Sequence, residues 1–247
     1  MHARKTILLL GGTGRTGART LEQLLGRGHA VRAVVRSRDR VPPACLANPD
    51  LAITQAELLA LSDAELRRLV DGCDAVVSCL GHVLSFRGIY GAPRDLVTRA
   101  TKRVCRAIEA LRPASPIRVV LMSSVSVHRA GAVDARRGRF ERAFLWTLCR
   151  ALPPANDNRR AAGFLADGIG TSNPYVQWAA VRPDTLRDGD VSGYRVHDGL
   201  VASLFRPDAT RMANVAHFLC ELATDPAAWE RWRGRMPVIV DACAPTP

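Results

Sequence analysis

The chain has 247 residues, of which 47% are hydrophobic and 23% are charged. This length and balance predict one large folded α/β unit or two small domains, and they argue against disordered, collagen-like and coiled-coil chains. The formal net charge of +12 makes a polyanion a partner to consider, but the chain carries no nucleic-acid motif or interleaved aromatic surface, so we favour a small-molecule function over nucleic-acid binding.

The first elements alternate between apolar strands and amphipathic helices. Apolar runs, helical leucine spacing and a capping sequence (SDAE) indicate where each element lies. The predictions are a strand at 5–10, a glycine turn GGTGRTG, a helix from about Arg15 that Gly28 stops, a strand at 30–35, a weak strand at 51–54, a helix at 62–70 and a strand at 75–80.

The alternation continues through the second half of the chain. Predicted here are a helix from about 93 to 111, a strand at 117–123, a helix at 158–170, a strand at 176–181, loops with short extended pieces over 183–207, a helix from about 212 to 223 and a strand near 237–240. Repeated βα units with right-handed crossovers predict an α/β fold, a Rossmann-type doubly wound parallel sheet in a single domain over residues 1–247 with small C-terminal elements. We expect the substrate side to be formed mainly by 82–95, 126–160 and 183–210.

The same sequence predicts compartment and thiol state. The longest apolar runs, at 7–10 and 143–149, are far shorter than the roughly 18 residues of a membrane-spanning helix, and the N-terminal run is too short for the core of a signal peptide. We therefore expect a cytoplasmic protein. Seven scattered cysteines without a C-x-x-C pair predict reduced, mostly buried thiols and no metal site.

The glycine turn carries the first functional signal. Gly12-x-Gly14-x-x-Gly17 fits the dinucleotide fingerprint, and Gly11-x-x-Gly14-x-x-Gly17 fits the related spacing with two residues between the first glycines. A strand, a helix and a second strand surround this turn, as that fold requires. Such a turn lets a pyrophosphate approach the backbone amides at a helix N-terminus, and the Lys-Ser or Lys-Thr of a Walker A loop does not follow it. The residues expected to bind the cofactor here are Gly11, Gly12, Thr13, Gly14, Arg15, Thr16 and Gly17.

The end of the second strand predicts which dinucleotide binds. An NAD-specific site places an acidic residue there, whereas this chain has Arg36, Ser37 and Arg38. A guanidinium pairs well with a ribose 2′-phosphate, and Arg15 could close on that phosphate from the turn. We therefore predict NADP(H) as the cofactor, the alternative being that these arginines are only solvated loop residues.

Five motifs resemble the atypical short-chain dehydrogenase/reductase superfamily, specifically its NmrA-like, NAD(P)H-binding branch that includes biliverdin and flavin reductases. They are ILLLGGTGRTG, VVRSRDR, DAVVSCLG, VVLMSSVSV and WAAVRPDTL, and the similarity covers most of the chain. The resemblance implies roles for three strand ends. It places Leu80 and Gly81 along the cofactor, Ser123 and Ser124 at the nicotinamide, and Arg182 and Pro183 beside the nicotinamide pocket.

One family feature is missing from this chain. Typical members transfer a proton with a Tyr-x-x-x-Lys pair on the helix after the fifth strand, and none of the three tyrosines here has a lysine four residues on. The candidates for catalysis are therefore Ser124 at a central strand end, His82 and His128 near the expected nicotinamide, and Tyr90 between two glycines as a substrate lid. Each could instead be a capping, bystander or packed residue.

Two further features have two interpretations each. Asp157 and Asn158 lie near the position of the missing pair and could bind ribose or substrate, although helix capping is the better reading. The amphipathic, arginine-flanked stretch 140–150 could bind a membrane surface or partner, but we favour a helix that covers the substrate pocket.

Together these observations predict an NADPH-dependent oxidoreductase that passes hydride to a small conjugated or carbonyl acceptor such as a flavin, quinone, enone or ketone. The alternative is a non-catalytic NADP(H)-binding regulator that senses redox state, which resembles the role of some NmrA-like proteins.

Overall fold

The structure is a computed structural model that describes residues 3–81, 94–127, 153–203 and 208–242. Its strands, in chain order, are β1 (Thr6–Leu10), β2 (Ala30–Val35), β3 (Leu51–Gln55), β4 (Ala75–Ser78), β5 (Ile117–Met122), β6 (Val176–Pro183), β7 (Thr185–Arg187), β8 (Tyr194–His197), β9 (Ala209–Arg211) and β10 (Val238–Asp241). Its helices are α1 (Arg15–Gly26), α2 (Pro43–Leu46), α3 (Asp63–Val70), α4 (Leu96–Leu111), α5 (Pro153–Gly163), α6 (Met212–Thr224) and α7 (Pro226–Trp232).

The strands form one eight-stranded sheet and a separate pair. The sheet order is β3-β2-β1-β4-β5-β6-β10-β8, and every neighbouring pair is parallel except β10 with β8. The pair β7-β9 is also parallel. The order reverses between β1 and β4, which is the switch point where open α/β sheets bind ligands beyond the carboxyl ends of their strands. The predicted Rossmann-type fold is confirmed.

Helices cover both faces of the sheet because successive residues of a strand point to opposite sides. Ile7 and Leu9 of β1 pack in a core with α1, α6 and α7, whereas Leu8 and Leu10 pack in a second core with α3, α4 and α5. The continuous apolar run of β1 is therefore explained, since a central parallel strand is buried on both sides.

The N-terminus of α3 follows directly from its sequence. Ser62 accepts a hydrogen bond from the Glu65 backbone, and the Glu65 carboxylate accepts one from the backbone N–H of Ser62. This reciprocal capping box satisfies two N–H groups that the helix leaves without intrahelical partners. The predicted start of this helix is confirmed.

The largest boundary difference concerns the helix predicted at 158–170. It begins at Pro153, because proline is well suited to the first turn of a helix, and it continues as a π-helical segment, Phe164–Ile169. Gly170, with φ +67°, ends it. β4 ends at Ser78, two residues earlier than expected, although the Cys79 N–H still donates to Leu10 O at 2.9 Å.

Some short elements were not predicted from the sequence. They include α2, the β9 strand that pairs with β7, and α7, whose first turn is capped by the Asp225 carboxylate accepting from the Ala227 N–H. None of the helices in the described ranges is long and apolar enough to cross a membrane. The cysteines of those ranges are free and buried, as expected: Cys45, Cys73, Cys79, Cys105 and Cys220.

Candidate functional site

The turn after β1 needs glycine at its first position. Gly11 has φ +77°, and a Cβ there would lie 2.7 Å from the carbonyl oxygen of Cys79. The Gly14 N–H donates to Gly11 O at 3.0 Å and closes the turn. Both the backbone conformation and the close approach of the chain after β4 exclude a side chain at this point.

The start of α1 is pressed against the same turn. A Cβ on Gly17 would lie 2.0 Å from Gly11 O, which no small adjustment can relieve. At Gly12 and Gly14 an added Cβ would meet only the Leu9 side chain at 3.1 Å and Gly11 O at 3.3 Å, respectively. Gly11 and Gly17 therefore shape the turn, and Gly14, which is exposed, leaves its outer side without a side chain.

The N-terminus of α1 suits an anion. Gly14 is the N-cap residue, no side chain caps the first turn, and that turn contains no acidic residue. The first amides of a helix have no intrahelical partner and lie at the positive end of its dipole. Gly14 and Arg15 are exposed, while Thr16 is buried and its carbonyl accepts from the Thr20 hydroxyl. The turn can thus hold a pyrophosphate on its backbone amides.

The loop after β2 lies next to this turn. Leu10, the last residue of β1, pairs with Val34, the last but one residue of β2. The segments that follow these two strands, from Gly11 and from Arg36, therefore leave the sheet side by side. Arg36 and Arg38 are exposed, and Ser37 is half-buried. In the described part of the chain, the guanidinium groups of Arg15, Arg36 and Arg38 have neither an ion pair nor a hydrogen bond. Three guanidinium groups that have no partner in the described ranges thus belong to the start of α1 and to the adjacent loop after β2.

The segment after β4 packs against the other side of the glycine turn. Leu80 N lies 3.0 Å from the position of a Cβ on Gly11, so Leu80 contacts the glycine turn, and Gly81 is exposed beyond it. Burial raises the pKa of the Cys79 thiol to about 12, although a contact with the Thr20 hydroxyl opposes this shift. The thiol is therefore protonated and inert near neutral pH.

Two serines follow β5 and differ in environment. The Ser123 hydroxyl is buried, and it has no hydrogen-bond partner among the residues that the structure describes. The Ser124 hydroxyl accepts from the Ser126 N–H at 3.1 Å, which makes a local turn and leaves its own proton available to donate. Capping of backbone, one of the two expected roles of Ser124, is therefore present.

Sequence reasoning missed Ser78. This residue ends β4 next to Leu10 of β1 and Leu121 of β5, and its buried hydroxyl also lacks a partner within the described ranges. Buried hydroxyls usually have a hydrogen-bond partner, so Ser78 is a candidate to contact a ligand at this edge of the sheet. The available signal was a serine within the otherwise apolar run AVVS.

The Arg182 side chain has a structural role that the family resemblance did not imply. It is fully buried, and it donates to Met236 O at 2.8 Å, to Val127 O at 2.9 Å and to Asp198 O at 3.4 Å. Its guanidinium thus joins β6 to the segments before β10 and after β5. Contact with a nicotinamide pocket stays a prediction. Since the Arg182 side chain is used elsewhere, that contact would be made by the Arg182 backbone and by Pro183.

Asp157 caps a helix other than its own. Its carboxylate accepts from the backbone N–H groups of Val97 at 2.8 Å and Thr98 at 2.9 Å, and the Thr98 hydroxyl lies 2.6 Å from Oδ1. Asp157 is buried and thereby fixes the N-terminus of α4 against α5. Of the two interpretations of Asp157, helix capping is confirmed.

Three predicted candidates, His82, Tyr90 and His128, lie outside the described residues, as does the stretch 140–150. Within the described ranges no group of three His, Cys, Asp or Glu side chains could hold a metal ion. The part of the site that the structure describes is thus the part where the sequence predicts the cofactor, built from the glycine turn, the loop after β2 and the ends of β4 and β5.

Comparison with known proteins identifies the family. The profile of a family described as NAD(P)H-binding matches residues 11–226, which begin at the first glycine of the turn. The chain belongs to the NAD(P)H-binding family. An uncharacterized chloroplastic protein of Arabidopsis thaliana is 35% identical over 77 residues, covering 31% of this chain and 28% of that protein. This chain therefore matches less than a third of the length of that relative.

Solved structures show how widely this NAD(P)H-binding fold is shared. ChuY, an anaerobillin reductase from Escherichia coli O157:H7, has a TM-score of 0.67 at 19% identity, covering 98% of this chain and 100% of that one. A short-chain dehydrogenase/reductase from Veillonella parvula, solved in complex with NADP, has a TM-score of 0.67 at 14% identity, covering 98% and 96%. The family profile confirms the predicted NAD(P)H-binding family, and these neighbours confirm the predicted fold.

Proposed function

We propose that this member of the NAD(P)H-binding family is an NADPH-dependent oxidoreductase that reduces a small conjugated or carbonyl acceptor. The observation that carries the proposal is a glycine turn, which admits no Cβ at Gly11 or Gly17, beside three guanidinium groups that have no partner among the described residues. The reductase named among the similar structures supports the activity class, and the neighbour solved with NADP supports the choice of cofactor.

Different described residues would bind different parts of the cofactor. The amides at the start of α1 would bind the pyrophosphate, and Arg36 and Arg38 would bind the ribose 2′-phosphate, with Arg15 closing from the turn. Leu80 and Gly81 would lie along the cofactor, and the unpaired Ser123 hydroxyl would reach the nicotinamide end. Each of these groups lies at the carboxyl edge of the sheet around the switch point.

Hydride transfer requires few further groups from the protein. A bound dihydronicotinamide supplies a hydride, and the protein must orient an acceptor and provide a proton. The Ser124 hydroxyl oxygen accepts from the Ser126 N–H, and this contact does not use the hydroxyl proton, which can be donated to a substrate. We assign proton donation or substrate orientation to Ser124, with His82, His128 and Tyr90 as the other candidates. A conjugated acceptor fits a site without Tyr-x-x-x-Lys, since water can supply the proton.

Replacement of Arg36 by Asp tests the cofactor preference. The substitution removes a phosphate partner and adds a carboxylate suited to a ribose hydroxyl, so the ratio of NADPH to NADH affinity should fall about tenfold or more. Titrations by cofactor fluorescence measure both affinities, and Arg68→Asp, an exposed residue of α3, controls for net charge. Equal affinities for the two cofactors in the parent protein would exclude phosphate pairing.

Turnover distinguishes the enzyme from the regulator. The regulator is favoured by the absence of Tyr-x-x-x-Lys and by Asp157, which caps α4 from the helix where that pair is expected. The parent protein should oxidise NADPH in the presence of at least one acceptor from a panel of flavins, quinones and enones. Tight NADPH binding without turnover across that panel would support the regulator, and no binding at all would contradict both.

A further inference from the structure

A strongly basic cleft lies between α3 and α4, on the sheet face opposite α1. It has a volume of about 560 Å³. The two helices are in contact, and both pack on the core that contains Leu8 and Leu10. The charged residues that line the cleft are Asp63, Arg67, Arg99, Lys102, Arg103 and Arg106.

One of the five cations is already neutralised. Arg103 donates to the Asp63 carboxylate at 2.8 Å and to the carbonyl oxygens of Leu58, Leu59 and Leu61. The Arg103 guanidinium is therefore anchored to the chain before α3, and Asp63 makes its close contact with Arg103, while Arg67 and Arg106 contribute less to lowering the pKa of its carboxyl. Arg103 holds the loop and α3 against α4, and Asp63 is the one acidic residue among those that line the cleft.

The other four cations have weak partners or none. Arg99 lies 3.9 Å from Asp95 with both side chains half-exposed, and the Lys102 ammonium lies 5.5 Å from the centre of the Phe164 ring. Arg67 and Arg106 are exposed and make no hydrogen bond or ion pair with the described residues. The cleft thus presents an excess of positive charge on a concave surface, and three of its cations, Arg67, Lys102 and Arg106, have no ion pair with the described residues.

This arrangement destabilises α4 in the absence of an anion. Arg99, Lys102, Arg103 and Arg106 follow the helical spacing of three and four residues, at which like charges repel. Glu109 is the one acidic residue of α4, and it instead accepts from Asn173 Nδ2 at 2.9 Å. A bound anion would remove the repulsion that no side chain of the helix compensates.

The shape and lining of the cleft indicate the class of anion. Its volume is that of a small-molecule site, and arginine forks pair with phosphate oxygens in two parallel hydrogen bonds. The lining residues in the described structure are charged residues and two alanines, with no aromatic ring on which a nucleobase could stack. We infer that this cleft is a second anion site, separate from the glycine turn, that binds a compact oligophosphate.

Inorganic triphosphate is the probe for this site. We expect calorimetric titration of the full chain, with NADPH present in excess, to give one-to-one binding of triphosphate that weakens as salt is raised. Arg67→Gln and Arg106→Gln should each lower the affinity about tenfold. Arg68→Gln is the control: it removes one positive charge from an exposed residue of the same helix, α3, that does not line the cleft. It should change the triphosphate affinity less than about twofold.

Three results would overturn the inference. The first is that the parent protein does not bind triphosphate. The second is that Arg68→Gln lowers the triphosphate affinity as much as the two cleft variants do. The third is that neither Arg67→Gln nor Arg106→Gln changes that affinity. Tighter binding of a single-stranded oligonucleotide than of triphosphate at physiological salt, lost in the same variants, would assign the surface to nucleic acid instead. Unchanged NADPH affinity of Arg67→Gln and Arg106→Gln, measured alongside, shows that these exposed substitutions leave the fold intact.

Discussion

At the scale of single residues, the cofactor turn depends on backbone positions that admit no side chain. Gly11 combines a positive φ with contact to the chain after β4, whereas Gly17 is excluded from substitution by distance alone. The spacing of the glycines predicted both positions as part of the fingerprint. The structure adds their separate reasons, one conformational and one steric, and these lead to a matched pair of variants within α1.

Gly17→Ala should disrupt the turn. A Cβ placed 2.0 Å from Gly11 O has to push the turn away from the helix, so we expect NADPH affinity to fall at least about tenfold. The free energy of unfolding should fall by about 1–3 kcal/mol. Fluorescence titration and urea unfolding measure the two effects.

Gly26→Ala is the control for the same helix. Nothing lies within 4 Å of a Cβ at Gly26, so NADPH affinity should not change. Stability should be unchanged or higher by up to about 1 kcal/mol, since alanine loses less backbone entropy on folding. Normal cofactor binding by the Gly17 variant would contradict the steric argument.

At the scale of elements, the caps decide where helices begin and how they meet. Ser62 caps α3 from its own chain neighbourhood, which the sequence predicted. Asp157 caps α4 from α5, sixty residues away, and no local pattern contains that information. The same contact explains why a polar residue is buried within α5.

Asp157→Ala should therefore cost more stability than Ser62→Ala. Loss of the Asp157 carboxylate leaves two buried backbone N–H groups without their acceptor, while the Thr98 hydroxyl keeps the backbone carbonyl of residue 157, so the change should cost about 2–4 kcal/mol. Ser62→Ala removes an exposed cap and should cost about 1 kcal/mol. Urea unfolding of both variants followed by circular dichroism makes the comparison, and equal costs would show that the Asp157 contacts add nothing beyond a surface cap.

At the scale of the whole molecule, the positive charge has several local sources. Part of the +12 lies in the arginines of the cofactor loops, and part lies in the cleft between α3 and α4. The first group lies at the carboxyl edge of the sheet and the second lies on one of its faces, so the charge is divided between two surfaces. A net charge read from composition could not divide the two.

The buried thiols on both faces report on the integrity of the molecule. Burial raises the pKa of Cys73 to about 11 and the pKa values of Cys79, Cys105 and Cys220 to about 12. At pH 8 the thiolate fraction is about one thousandth or less, and the groups are also shielded from reagents. Alkylation at these sites, followed by peptide mass spectrometry, should therefore require unfolding. Rapid labelling of the native protein would contradict this.

The same shifts set the expected pH dependence of stability. The folded protein retains thiol protons that the unfolded chain loses near the ordinary pKa of 9.0. The folded state then binds more protons than the unfolded state, so the free energy of unfolding should fall as the pH rises above about 9. Replacement of Cys105 by Ala should reduce this slope, and an unchanged slope would assign the loss to other groups.

The sequence by itself determined the order of the major elements, the family and the cofactor turn. Each of these depends on local chemistry: alternating apolar runs, a capping box, and glycines where a backbone must approach closely. Strand ends were accurate within about two residues for the same reason. The predictions for Arg36 and Arg38 also came from their position after β2, since parallel register carries adjacent loops to the same edge.

Only the tertiary structure decided the roles that depend on distant partners. It turned Arg182 into a buried link among three segments and Asp157 into the cap of another helix. It left Ser78 and Ser123 without partners at the described sheet edge, and it placed the cations of α3 and α4 around one cleft. Burial and hydrogen bonding join residues that are far apart in the chain, so no pattern of neighbouring letters could assign these roles.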